Sequence, residues 1–284
     1  MAEASLAEKP QQDETIILRP SRGWSALKLR DIWVYRELVY FLTWRDVIVR
    51  YKQTVLGASW AIIQPLINMV VLNLIFGALG NLPTEGIPRP LFTYSALLPW
   101  GLFSKALNDA GRSMLSNRSM ITKVYFPRMI IPLSSVLGGL VDFAIQFVVL
   151  LIMMAFYQYP LTWNAITIPF FVILAIITAL GVGLWLSALN VLYRDVNYIL
   201  PFLTQFWLLL TPVGYAPNSF SVKLQALSVL NPMAAVVTGF RWALLGTTPP
   251  TPQVLFVSTL VALIMLISGM YYFRRMERTF ADMV

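Results

Sequence analysis

Long apolar stretches recur along this chain, and its charged side chains are concentrated in the connections between them. A run of about 20 apolar residues matches the roughly 30 Å hydrocarbon core of a bilayer. Of the 284 residues, 58% are hydrophobic and only 12% are charged, which lies outside the usual range of soluble domains. The sequence therefore predicts an all-α fold, that of a polytopic membrane protein.

Hydropathy divides the chain into membrane spans. The six predicted transmembrane helices cover residues 56–80, 91–107, 129–157, 166–192, 198–215 and 254–273. An even number of spans returns both termini to the same side of the membrane. Residues 54–284 are therefore predicted to form one membrane domain.

The basic residues indicate the orientation of these spans. Nearly all of the 21 Lys and Arg residues fall on one side, and only Arg89, Lys223 and Arg241 fall on the other. Because cytoplasmic loops are enriched in basic residues, both termini are expected in the cytoplasm. The net charge of +8 forms no continuous stripe, so membrane lipids fit as partners and nucleic acid does not.

Three segments outside the predicted spans differ from them in polarity or in helical pattern. Residues 1–30 form a polar tail without the apolar region of a signal peptide. Residues 31–53 have opposed apolar and polar faces, which predicts an amphipathic interfacial helix parallel to the membrane. Residues 217–246, interrupted by Asn231-Pro232, predict short re-entrant outer gate helices before the last span, with a surface loop as the alternative.

The motifs of membrane enzymes are absent from the sequence. There is no phosphate-binding glycine loop, no H-E-x-x-H and no acidic pair suited to a divalent metal. We therefore predict no catalytic residue and no metal site, and no cofactor bound by this chain. Its work must draw energy from another subunit or from an ion gradient.

Short motifs follow one another in a characteristic order. They are Gly57-Ala58-Ser59-Trp60, Gln64-Pro65-Leu66, Leu97-Leu98-Pro99-Trp100, Lys123-Val124-Tyr125-Phe126-Pro127-Arg128, Asn190-Val191-Leu192-Tyr193-Arg194-Asp195-Val196, Thr211-Pro212-Val213 and Asn231-Pro232-Met233. As an ordered series the motifs resemble the permease subunit of the type-2 ABC exporters of polysaccharides and polyol phosphates, such as O-antigen and teichoic acid exporters.

That resemblance implies a homodimer with two cytoplasmic ABC ATPase subunits, which bind ATP and Mg. It implies export of an undecaprenyl-diphosphate-linked, O-antigen-like glycan across the bacterial plasma membrane, from the cytoplasmic to the outer side. Related alternatives are export of teichoic acid, capsular polymer or small molecules. A membrane enzyme acting on lipid-linked sugars and an ion-driven secondary transporter are alternatives of other classes.

The resemblance also implies a coupling helix at about residues 112–124, between the second and third spans. Apolar side chains among basic ones suit docking into a groove of the ATPase. The predicted coupling residues are Arg112, Met114, Leu115, Arg118, Met120, Ile121 and Lys123. The alternative is an ordinary basic cytoplasmic loop.

Two further sets of residues are candidates for substrate contact. Aromatic faces stack on sugar rings, and the candidate glycan conduit aromatics are Trp60, Tyr94, Trp100, Phe206, Trp207 and Tyr215. Cationic groups suit a lipid diphosphate, and the candidates are Arg45, Arg50 and Lys52. The alternatives are lipid-facing or core positions for the aromatics and headgroup contact for the cations.

Three charged residues are predicted to have structural roles. Asp142 lies in the middle of the third span, where a carboxylate costs roughly 2.5–3.5 kcal/mol unless it is paired or hydrated. We expect it to hydrogen-bond between spans, with pore lining as the alternative, although the sequence offers no obvious cation as its partner. Arg194 and Asp195 are predicted to form a local charge pair at the end of the fourth span.

Overall fold

The structure is a computed structural model that describes residues 29–52, 57, 59–80, 82–216, 228–277 and 280. Within these ranges all regular secondary structure is helical, which confirms the all-α prediction for that part of the chain. The helices are α1 (Leu29–Val34), α2 (Arg36–Lys52), α3 (Ser59–Asn73) with a π-helical extension (Leu74–Leu79), α4 (Arg89–Ser116), α5 (Arg118–Ile121), α6 (Ile130–Phe156), a 3₁₀ turn (Trp163–Thr167) leading into α7 (Ile168–Leu192), α8 (Val196–Leu210), α9 (Pro232–Leu245) and α10 (Pro252–Met276).

Four helical segments in the described ranges are long and apolar enough to cross a bilayer. They are Ser59–Gly77, Ile130–Phe156, Trp163–Leu192 and Pro252–Met276, which correspond to the first, third, fourth and sixth predicted spans. The second predicted span lies in α4, which carries charged residues in its second half. The fifth lies in α8, an apolar helix of only 15 residues. The count of six spans stays a prediction.

α4 is the central helix of the fold. It packs chiefly against α6 and α7, and it also contacts α3, α8 and α9. Its small residues Ala96, Ala106 and Ala110 are fully buried. A Cβ atom on Gly183 of α7 would lie 2.7 Å from the Cβ atom of Ala110, so the missing side chain lets the two helices approach closely. Because α4 is surrounded by other helices, its charged residues Lys105 and Asp109 lie beside α6 and α2.

α2 packs along the first half of α6. The Thr43 hydroxyl donates to the carbonyl of Ser134 at 3.4 Å, and the Arg50 guanidinium donates to Asp142 at 2.7 Å. The two contacts advance in the same direction along both helices, so α2 runs beside α6. The orientation of residues 31–53 relative to the membrane plane stays a prediction.

A break in the backbone separates α8 from the segment that leads to α9. α8 ends at Leu210, just before Pro212, whose ring cannot supply a backbone N–H. α9 begins at Pro232, where the side chain of Asn231 accepts a hydrogen bond from the Met233 N–H at 3.0 Å. The predicted re-entrant region therefore contains α9, while residues 217–227 lie outside the described ranges. Re-entry into the membrane stays a prediction.

Candidate functional site

Charged side chains from three helices meet in an ionic cluster formed by Arg50 of α2, Lys105 and Asp109 of α4, and Asp142 of α6. The Arg50 guanidinium donates to Oδ2 of Asp142 at 2.7 Å and to Oδ2 of Asp109 at 3.1 Å. The Nζ atom of Lys105 lies 3.3 Å from Oδ2 of Asp142 and 3.7 Å from Oδ2 of Asp109. Two cations and two carboxylates thus balance in charge and connect α2, α4 and α6.

Asp142 is the most buried member of the ionic cluster, with a side chain only 8% exposed. A buried carboxylate needs charged partners and hydrogen bonds, and Arg50 and Lys105 are the cations that the sequence did not reveal. The Tyr51 hydroxyl donates to the other carboxylate oxygen of Asp142. Burial first, and then this contact with a carboxylate, raise the pKa of Tyr51 above its ordinary value. Tyr51 therefore keeps its proton and remains a donor.

A groove of about 520 Å³ extends from the ionic cluster along the end of α4. Its charged lining residues are the cations Arg45, Arg50 and Arg112 and the carboxylates Asp46 and Asp109, and four serines and Asn117 line it as well. Arg45 donates to Oδ1 of Asp46 and to Oδ1 of Asn117, both at 2.7 Å. The groove therefore has three cations against two carboxylates, together with neutral hydrogen-bonding groups, and this excess of positive charge suits an anionic ligand.

The three predicted lipid diphosphate residues occupy different surroundings. Arg45 and Arg50 both line the groove, whereas Lys52 is exposed at the end of α2. The guanidinium of Arg50 already faces two carboxylates, so an anion can reach it only by adding to or replacing these partners. Diphosphate binding stays a prediction for all three residues.

A smaller cleft of about 170 Å³ also borders the ionic cluster and shares Arg50 with the groove. Lys105 and Asp142 of the cluster line it together with Arg50. Trp60 and Gln64 of α3 and Gln146 of α6 also line it. The cleft therefore places a predicted conduit aromatic beside a predicted phosphate-binding arginine, although Trp60 and Arg50 lie on different helices.

The predicted conduit aromatics divide into two groups by exposure. Tyr94, Trp100 and Tyr215 are buried within the chain. Trp207 is half-buried, and its indole N–H donates to Oδ1 of Asn231 at 2.8 Å. Trp60 and Phe206, about half exposed at 50% and 53%, present the most ring surface. Lining of a conduit stays a prediction, and these two side chains are the best placed for it within a single chain.

The predicted coupling region begins inside α4, which continues to Ser116, and includes the short helix α5. The basic residues Arg112, Arg118 and Lys123 are exposed. Met114 and Ile121 are buried, and Leu115 and Met120 are partly buried, so these apolar side chains face the protein more than an external partner. The exposed apolar groups of the loop are Val124 and Tyr125. Docking of the ATPase stays a prediction. Val124 and Tyr125 are the residues that we expect to make its apolar contact.

The loop that follows α5 is hydrogen-bonded to Glu277, the residue that follows α10. The backbone N–H of Arg128 donates to Oε1 of Glu277 at 3.2 Å, and the Arg128 guanidinium donates to the Glu277 carbonyl at 2.8 Å. Glu277 also pairs with Arg274 at 2.5 Å. The exposed loop is therefore fixed to the end of α10.

Arg194 and Asp195 lie in the turn between α7 and α8. Main-chain hydrogen bonds close this turn, from the N–H groups of Val196 and Tyr198 to the carbonyls of Tyr193 and Asp195, at 3.2 and 2.9 Å. Among the ion pairs formed within the described ranges, none joins Arg194 to Asp195. The local charge pair is thus not seen, and the turn does not depend on it.

Arg241 of α9 is a buried cation with no assigned role in the sequence-based predictions. Its guanidinium stacks over the ring of Phe92 at 3.5 Å from the centroid. It also donates to the carbonyls of Pro212 and Val213, at 3.2 and 3.0 Å. These carbonyls lie in the non-helical segment that follows α8, so Arg241 connects that segment to α4 and α9. The sequence did contain a signal for such a role, because Arg241 is an arginine within an apolar stretch that proline interrupts.

Long apolar helices around an ionic cluster define a helical membrane protein of several spans. This chain belongs to the ABC-2 type transporter family, whose family model matches residues 37–245.

Individual relatives cover most of the chain. The O-antigen export system permease protein RfbA of Myxococcus xanthus is 28% identical over 260 residues, which cover 90% of this chain and 98% of the relative. A protein of the same name from Klebsiella pneumoniae is 26% identical over 251 residues, 87% of this chain and 95% of the relative. The polysialic acid transport protein KpsM of Escherichia coli is 24% identical over 222 residues, 75% of this chain and 83% of the relative.

Proposed function

We propose that this chain is the membrane-spanning permease subunit of an ATP-driven exporter of polysaccharide. The match to the ABC-2 type transporter family carries this proposal. The names of the relatives, which are O-antigen export and polysialic acid transport proteins, support a glycan as the substrate. The substrate that fits best is an O-antigen-like glycan linked to undecaprenyl diphosphate, moved from the cytoplasmic to the outer side of the bacterial plasma membrane.

The proposed assembly is a homodimer of six-span permeases with two cytoplasmic ABC ATPase subunits. ATP and Mg bind to the ATPase subunits, and this chain acts as a transport subunit without catalytic residues. Both termini lie in the cytoplasm, where the basic residues of the chain are concentrated. Residues 112–124 contact the ATPase, and the helices between 217 and 246 close the outer end of the conduit.

The groove beside the ionic cluster supports an anionic substrate. Arg45, Arg50 and Arg112 line a volume of about 520 Å³, larger than a single phosphate group needs. Guanidinium groups bind phosphate oxygens through two parallel hydrogen bonds, which gives both orientation and strength. The diphosphate of a lipid-linked glycan is the anionic group that would occupy this groove.

Reconstitution tests the proposed function. The chain is purified with its cognate ATPase, placed in proteoliposomes and supplied with a fluorescent undecaprenyl-diphosphate-linked oligosaccharide. We expect ATP-dependent movement of the oligosaccharide to the opposite leaflet, and no movement with a hydrolysis-deficient ATPase. Movement driven by an ion gradient without nucleotide, or sugar transfer by the permease alone, would contradict the proposal.

A further inference from the structure

We propose, resting on the export function above, that the 170 Å³ cleft binds a glycosyl phosphate, the unit in which a sugar ring is joined to phosphate. The cleft lies beside the ionic cluster and is bordered by α2, α3, α4 and α6. It is smaller than the roughly 300–1,000 Å³ of pockets that enclose whole drug-sized ligands. A site of this size holds one group of a long substrate at a time.

The lining of the cleft complements each part of that unit. Trp60 and Gln64 are four residues apart on α3, so they lie on one face of that helix. Asp142 and Gln146 have the same spacing on α6, and both also line the cleft. An indole ring provides an apolar face for a sugar ring, and two carboxamides provide donors and acceptors for its hydroxyls.

The side-chain amides of the two glutamines have hydrogen-bonding capacity that the described residues leave unused. In the described part of the protein, no hydrogen bond engages the side-chain amide of Gln64 or of Gln146. Polar side chains on apolar helices are costly in a membrane unless a partner satisfies them, and such residues mark substrate paths. A polyhydroxylated ligand would supply the missing partners.

The cations of the ionic cluster complete the site. The Nζ atom of Lys105 lies 3.3 Å from Oδ2 of Asp142 and 3.7 Å from Oδ2 of Asp109. The side chains of Lys105 and Arg50 are 32% and 27% exposed. A phosphate that enters the cleft therefore competes with Asp142 and Asp109 for the same cations. The carboxylates keep the cations neutralised in the empty protein, and the substrate phosphate takes their place when it binds.

Binding to the purified permease–ATPase complex in nanodiscs tests this site by calorimetry with three probes. The probes are farnesyl-diphosphate-linked N-acetylglucosamine, farnesyl diphosphate, and soluble N-acetylglucosamine 1-phosphate. We expect the wild type to bind the first more tightly than the second, and to bind the third measurably. The third probe distinguishes recognition of the glycosyl phosphate from recognition of the lipid. No binding of any probe, or equal affinity for the first two, would overturn the proposal.

Variants at the sugar-facing wall test the recognition of the ring. Both Trp60→Leu and Gln64→Leu change exposed positions of α3, so they leave the packed interior intact. We expect each to weaken binding of the sugar-bearing probes by roughly tenfold, through lost ring stacking for Trp60→Leu and lost hydrogen bonds for Gln64→Leu, and to leave farnesyl diphosphate unchanged. Trp163→Leu, at a tryptophan that is 96% exposed and outside the cleft, is the matched control. Equal losses for all probes would overturn the sugar assignment.

Variants of the carboxylates test the exchange of partners. The proposal predicts tighter binding of the probes, whereas a damaged site would bind them more weakly. Asp142→Asn removes the charge that competes with phosphate, so we expect tighter binding of every phosphate-containing probe. Asp109→Asn, at a more exposed carboxylate of the same cluster, provides a second test if Asp142→Asn folds poorly. Asp195→Asn is the control, because it makes the same change in net charge at a position outside the cluster. Weaker or unchanged binding in both cluster variants, measured on folded protein, would overturn the proposal.

These outcomes are separable from those of the export experiment. A wild-type complex that translocates glycan but binds none of the probes keeps the export function and loses this site. A complex that binds the probes at the cleft but never translocates glycan with ATP loses the export function and keeps the site.

Discussion

The guanidinium of Arg241 is fully enclosed, and it interacts electrostatically with the carboxylate of Glu85 while neutral groups contact it directly. Its contacts are the ring of Phe92 and the carbonyls of Pro212 and Val213, while its Nε atom has no hydrogen-bond partner. A buried cation is costly, but each buried carbonyl without a donor costs roughly 1–3 kcal/mol as well. A desolvated cation–π contact adds about 2 kcal/mol. The balance favours Arg241 as an anchor of the broken backbone.

Replacement of Arg241 by methionine tests this anchor. We expect Arg241→Met to lower the free energy of unfolding by about 2 kcal/mol, because two carbonyls lose their donor while loss of the buried charge works in the other direction. Thermal unfolding in detergent measures the effect. Arg275→Met, at an exposed arginine of α10, is the matched control. A stability equal to that of the control would contradict the anchoring role.

Single residues show where sequence reasoning stops. The cost of a carboxylate in the third span predicts that Asp142 needs partners, and in the structure Arg50 and Lys105 lie beside it. The partners themselves were not identifiable, because Arg50 precedes Asp142 by 92 positions and Lys105 lies on another helix. Met114 and Ile121 were predicted as docking residues since apolar side chains suit a groove, but apolar side chains pack equally well inside the chain that carries them. Only the tertiary structure separates these two uses.

At the scale of helices, α7 and α10 are in close contact through glycines. A Cβ atom on Gly269 would lie 2.2 Å from the carbonyl oxygen of Gly181, and one on Gly181 would lie 2.7 Å from the backbone nitrogen of Leu266. Real Cβ atoms do not approach backbone this closely, so the helices would have to separate. Small residues thus set the distance between these two spans.

Substitution of Gly269 by alanine tests this contact between helices. We expect Gly269→Ala to destabilise the protein by roughly 1–3 kcal/mol, the range found for overpacking of a tight interior. Gly138→Ala in α6 is a matched control, because no atom lies within 4 Å of the Cβ position there. In the control, the better helix propensity of alanine should leave the stability equal or slightly higher. Equal melting temperatures for both variants would contradict the close contact.

The sequence predicted the helices themselves better than their arrangement. Hydropathy located the four long apolar segments, because length and composition determine that property directly. It did not predict that α4 is central, since hydropathy does not indicate which other helices a span contacts. It also did not predict that α2 runs beside α6, because an amphipathic pattern fits a helix packed on protein as well as one on a membrane.

For the whole molecule, the expected contact with the ATPase depends on the exposed loop after α5. Its side chains Val124 and Tyr125 are exposed, the latter to 79%, between the basic residues Arg118 and Arg128. Arg128 and Glu277 fix the loop to α10, so force applied at the loop would reach the helices without bending the loop first. A rigid exposed aromatic of this kind suits an interface anchor.

Substitution of Tyr125 by aspartate tests the transmission of force from the partner. We expect Tyr125→Asp to weaken binding of the ATPase subunit by about thirtyfold, the equivalent of about 2 kcal/mol for a central interface aromatic. Because the side chain contacts solvent, the melting temperature of the permease alone should stay unchanged. Co-purification and surface plasmon resonance measure binding, and glycan translocation should fall with it. Tyr193→Asp, at a 63% exposed tyrosine in the loop after α7, is the control. Full ATPase binding by Tyr125→Asp would move the docking surface away from this loop, whereas equal losses in both variants would reflect added negative charge rather than a specific contact.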